Sequence, residues 1–150
     1  MDDNYGTIQR QAYFALFEKQ AHEMIPQGVG MDDLNQAYLE NLQDQFGNAV
    51  HVNEEFQLEW ICIPHIFHTP FYVYAYAFGQ LLVLSLYKRY KNEGKPFIPQ
   101  YKKILAAGGS KAPETVLSDA GINFRDAAFW QGGFDILNEN LSEIERICKK

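Results

Sequence analysis

Between Glu59 and Lys88 the chain carries no formally charged side chain, and from Phe71 to Tyr87 nearly every residue is apolar or aromatic. Water disfavours such a stretch, so the fold must bury much of it. A membrane span, an interior strand and a core helix can each do so. A span needs about 20 mostly apolar residues. This run is shorter, contains Tyr72, Tyr74, Tyr76, Gln80 and Ser85, and follows Pro64 and Pro70. Phe71-Tyr72-Val73-Tyr74-Ala75-Tyr76-Ala77-Phe78 alternates with the period of a strand. Yet the apolar pattern continues to Tyr90 without a turn signal, well past the usual strand of about 5–6 residues. Length decides for a buried helix starting near Pro70 and ended by Asn92-Glu93-Gly94-Lys95-Pro96.

The remaining segments read as helices too. Ile8, Ala12, Phe17, Ala21 and Met24 recur at helical spacing over Tyr5 to Ile25, and Pro26-Gln27-Gly28 stops them. A second helix fits Asp32 to Phe46, with the acidic pair Asp32-Asp33 at the positive end of its dipole. Residues 48–55 are polar and read as a connection. Short helices fit Pro99 to Ala107 and Pro113 to Ala120, and an amphipathic one fits Asp126 to Ile147, with Gly132-Gly133 a candidate break. Ala112 is an oddity, because a capping Ser at that position would add about 1 kcal/mol. The expected architecture is all-α, one packed unit of about six helices, at a length of 150 residues that suits a single domain.

Lys and Arg total 13 against 19 Asp and Glu, a net charge of −6, so there is no basic footprint for nucleic acid or an anionic membrane. Asp2-Asp3-Asn4 after Met1 is the opposite of a secretory n-region. Cys62 and Cys148 form neither a disulfide framework nor a CxxC knuckle, which suits a reducing cytoplasm.

Chemistry-bearing residues are few. His22-Glu23 starts like HExxH, but Pro26 stands where the second histidine belongs, so His22 is expected on a solvent face. His51 sits in a polar connection and gets no role. His65 and His68 are spaced to share a metal only on a helix, which Pro64 and Pro70 argue against, and no carboxylate occurs between Glu59 and Glu93 to complete a local site. On a helix Tyr72 and Tyr76 share a face, whereas Tyr74 points about 200° away from Tyr72. These tyrosines suit an aromatic core with satisfied hydroxyls, or phenols that donate to a developing oxyanion beside an imidazole. Gly108-Gly109-Ser110 lacks the ending of a P-loop and reads as a turn between helices.

Ile63-Pro64-His65, Thr69-Pro70-Phe71-Tyr72-Val73-Tyr74-Ala75-Tyr76-Ala77, and Ala106-Ala107-Gly108-Gly109-Ser110 followed by Pro113-Glu114 resemble the C-terminal part of oligoendopeptidase F. Arg10-Gln11, Trp60 and Phe129-Trp130 fit the same pattern, so the likeness covers nearly the whole chain. The family consists of zinc metallopeptidases related to thimet oligopeptidase. The resemblance implies the C-terminal part of a bowl-shaped, mostly helical catalytic domain, in which HExxH and a downstream glutamate hold zinc. This sequence has no HExxH, so the chain is expected to bind no zinc alone and to be inactive alone. It would supply the opposite wall of the peptide cleft.

Carried over by position, His65 matches the histidine and Tyr74 the tyrosine that stabilise the oxyanion, and Tyr72 and His68 are candidates for peptide contact. The expected partners are short peptides and an N-terminal chain or segment bearing HExxH. The alternative is a non-catalytic helical module, binding peptides or docking on a partner.

Overall fold

The computed structural model describes residues 2–149, and every element in it is helical. Among the described residues there are eight α-helices: α1 (Asp2–Asn4), α2 (Arg10–Met24), α3 (Met31–Phe46), α4 (Pro64–His68), α5 (Tyr74–Glu93), α6 (Ile98–Ala107), α7 (Pro113–Asp119) and α8 (Ala127–Cys148). The six longer ones are those that hydrophobic periodicity predicts. A π-helical segment, Tyr5–Gln9, joins α1 to α2 without leaving right-handed backbone geometry. None of the helices is long and apolar enough to cross a membrane.

Where sequence suggests one packed unit, the contacts gather in two, Asp2–Phe78 and the stretch from Gly79 onward, and α5 contributes residues to each. In the first, Phe14 and Phe17 of α2 and Ala37, Tyr38 and Leu42 of α3 enclose a core with Trp60, Ile63 and Val73. Phe17 meets Tyr38 edge to face at 4.9 Å, a favoured aromatic geometry. The polar tips are satisfied. The Trp60 indole donates to Asn35 Oδ1 at 3.0 Å, and the Tyr38 hydroxyl donates to Glu59 Oε2 at 2.8 Å. Glu59 also pairs with Arg10. Burial, and then the Glu59 carboxylate, hold the Tyr38 phenol far above its ordinary pKa. The segment Glu54–Cys62, a 3-10 helix leading towards α4, is thereby tied to both α2 and α3.

In the second unit Leu86, Phe97, Leu117, Ala120 and Ile122 form the core, with Phe124 and Phe129 against it. The candidate break at Gly132-Gly133 is absent, and α8 runs through it. A Cβ on Gly133 would lie 2.8 Å from Ser85 Oγ and 3.0 Å from the Leu81 carbonyl oxygen. The glycine is there for close approach to α5, which sequence alone reads as weakness. Glu139 of α8 then accepts from Lys88 at 2.6 Å and from Lys91 at 2.7 Å. Its carboxyl is lowered from 4.5 to about 2, first through the Lys88 bond and then through the Lys91 bond. Ala112 gives α7 no side-chain cap, as its methyl dictates. Pro113 starts the helix, and Arg125 grips Glu114 with two bonds at 2.8 and 3.2 Å.

Candidate functional site

The site is built on the segment between the Trp60 core and the long helix. Ile63 is buried in extended conformation, and Pro64 follows as the first residue of α4. Sequence reasoning takes the two prolines as evidence against a helix here, and that expectation is corrected. Pro64 occupies the one turn of a helix where a missing N–H costs nothing, and Pro70 lies beyond the helix end. The Thr69 N–H closes α4 on the His65 carbonyl at 3.0 Å.

A turn follows. The Tyr72 N–H donates to the Thr69 carbonyl at 3.2 Å, with Phe71 at φ 59°. Val73 is buried and anchors the start of α5, whose first residue is Tyr74. The helix expected near Pro70 therefore begins later, because Pro70 and the left-handed Phe71 make a turn of the residues before it.

This path brings three rings together. His65 stacks on Tyr72 with centroids 6.0 Å apart and 7° between planes. Tyr76 stands edge-on to both, 5.8 Å from His65 and 5.4 Å from Tyr72. The Tyr76 hydroxyl and His65 Nε2 are 3.2 Å apart and share a hydrogen bond. Tyr72 and Tyr76 are 44% and 38% exposed, so the cluster faces solvent and can meet a ligand.

Of the candidates from sequence, His65 and Tyr72 are in this cluster. Tyr74 is not. It is 59% exposed, and its side chain makes no hydrogen bond or ring contact among the described residues. His68 at the end of α4 is exposed, and its side chain likewise makes neither among the described residues. His22 is exposed as expected, and its ring also packs on Phe71 at 4.6 Å.

Tyr76 is the cluster member that sequence reasoning did not select. Its shared face with Tyr72 was the available signal, and only the course of α4 adds His65. Among the described residues no three His, Cys, Asp or Glu side chains are grouped to hold a metal ion, so the donors of this chain do not fit a zinc centre. What the cluster offers chemically is an imidazole and phenols, groups that can donate hydrogen bonds.

Known proteins share this arrangement of sequence and backbone. Residues 2–136 match the profile of peptidase family M3. An oligoendopeptidase F homologue of Borreliella burgdorferi is 38% identical over 98% of the chain, and the chain covers 25% of that protein. The oligopeptidase PepF of Bacillus subtilis is 32% identical over 97% of the chain, which covers 22% of it. The crystal structure of oligoendopeptidase-F from Enterococcus faecium superposes with a TM-score of 0.86 at 29% identity, over 97% of this chain and 28% of that one. The chain thus spans about a quarter of the length of the relatives it matches. Helical throughout its described residues and following these relatives along nearly its whole length, the chain belongs to peptidase family M3.

Proposed function

We propose that this chain forms the substrate-facing wall of a zinc-dependent oligoendopeptidase that hydrolyses internal bonds of short peptides. Family M3 is a metallopeptidase family, so the zinc ligands and general base are assigned to an HExxH-bearing segment or partner chain. In this reading His65 and Tyr74 donate hydrogen bonds to the oxyanion that develops on the scissile carbonyl. Each donor is worth about 3 kcal/mol of transition-state stabilisation. Tyr72 and His68 contact the bound peptide, and Tyr76 orients the His65 ring. The reaction takes place in the cytoplasm, and the chain alone is inactive.

One observation carries the reading. The His65–Tyr72–Tyr76 cluster is solvent-facing and is joined along the chain to an unpartnered Tyr74 hydroxyl, so donors are left available to a ligand. A core role would bury these groups. The second reading, a non-catalytic peptide-binding or docking module, draws on the fact that each unit has its own buried core.

Titration of the chain with the HExxH-bearing portion of a relative, followed with a quenched fluorescent peptide, separates them. Zinc-dependent cleavage that rises with added chain supports the peptidase. Peptide binding without cleavage, at any ratio of the two, supports the module.

A further inference from the structure

Among the buried described residues Glu18 is the one with a carboxylate, and only 1% of its surface is exposed. It lies on α2, far in sequence from the groups proposed to meet the substrate. A buried carboxylate is costly unless hydrogen bonds hold it. Its Oε1 accepts one, from the Phe71 N–H at 2.6 Å, and its Oε2 has no partner. Phe71 is itself held unfavourably, because φ 59° is left-handed backbone that a bulky aromatic residue rarely adopts.

Two costly features therefore meet in one hydrogen bond. One turn further along α2, the His22 ring packs on the Phe71 ring at 4.6 Å. The helix thus grips Phe71 by its backbone and by its side chain. The next residue is Tyr72, whose ring lies 7° from parallel with His65. A change in the Phe71 backbone swings Tyr72 first, and then the His65 and Tyr76 rings that contact it.

We propose that Glu18 is a positioning residue, whose hold on the Phe71 amide keeps the left-handed turn that sets Tyr72 against His65 and so fixes the orientation of the His65 imidazole. The catalytic consequence rests on His65 being an oxyanion donor, as read above. The positioning itself does not.

The test compares Glu18→Gln, which keeps a carbonyl acceptor, with Glu18→Met, which keeps the volume and loses it. In the isotopically labelled 150-residue chain, the Phe71 amide of Glu18→Met should exchange at least about tenfold faster with solvent. The His65 and Tyr72 ring resonances should move, while the Trp60 indole resonance stays in place. Glu18→Gln should retain the wild-type exchange and ring resonances. Wild-type behaviour of Glu18→Met, or equal disturbance by Glu18→Gln, overturns the proposal.

Should Glu18→Met not fold, Phe71→Gly in that background removes the left-handed cost. Recovery of the fold then supports the proposal, and continued unfolding overturns it. In the complemented peptidase, Glu18→Met should lower kcat and, because Tyr72 moves with the turn, raise KM, and Glu18→Gln should keep both near wild type. If the resonances move while kcat does not, the positioning stands and the oxyanion role of His65 falls.

Discussion

The bond between His65 Nε2 and the Tyr76 hydroxyl runs in one of two senses, and they differ in consequence. If His65 donates, the Tyr76 O–H is free to donate outward. If Tyr76 donates, the imidazole proton sits on Nδ1. Tyr76→Phe removes the choice, and the ring nitrogen shifts of His65 should change in that variant and stay unchanged in Tyr74→Phe. In the complemented enzyme, His65→Ala and Tyr74→Phe should each lower turnover by about a hundredfold or more, with zinc content intact. Unchanged turnover in both would remove them from the site. The resemblance to oligoendopeptidase F made His65 and Tyr72 candidates beforehand, where residue types and spacing alone left an aromatic core as the other reading. The link to Tyr76 was not legible, because it depends on α4, whose prolines read from sequence as helix breakers.

At the scale of elements, the contact of α5 with α8 is set by Gly133. Gly133→Ala puts a methyl against the Leu81 carbonyl oxygen, a backbone atom that cannot rotate away. A loss of about 1–3 kcal/mol is expected, read as a lower urea midpoint. Gly132→Ala meets only the flexible Lys88 side chain at 3.2 Å and should cost less. The same two helices carry a pH dependence. The Glu139 carboxyl is depressed from 4.5 to about 2, chiefly by its Lys88 bond. Its contribution to stability is present above pH 4.5 and is lost as pH falls through 4.5 towards 2, as the unfolded and then the folded carboxyl takes up its proton. The thermal midpoints of wild type and Glu139→Gln should therefore differ at pH 6 and converge towards pH 2. Both residues lie on α8, whose amphipathic period was plain in sequence, but a glycine pair looks the same whether it breaks a helix or admits a neighbour.

Across the whole molecule, many large apolar side chains remain in water. Leu105 is 62% exposed, Val83 57% and Tyr87 51%. A groove of about 430 Å³ lined by Val83, Tyr87, Tyr90 and Tyr101 is among these surfaces. Exposed apolar area of this kind binds hydrophobic dyes. The isolated chain should enhance anilinonaphthalene sulfonate fluorescence well beyond a monomeric globular control of similar size. That enhancement should fall when the HExxH-bearing portion is added, and a fluorescence unchanged by its addition would count against the complementing pair. Sequence by itself determined the helical class and the six long helices, because periodicity and turn residues act locally along the chain. It also carried the family likeness and the candidacy of His65 and Tyr72. Tertiary structure alone decided that Tyr76 meets His65, that Gly133 admits α5, and that Glu18 holds Phe71. Each of these joins positions well apart in the chain, and no local pattern encodes a contact whose partners are brought together only by packing.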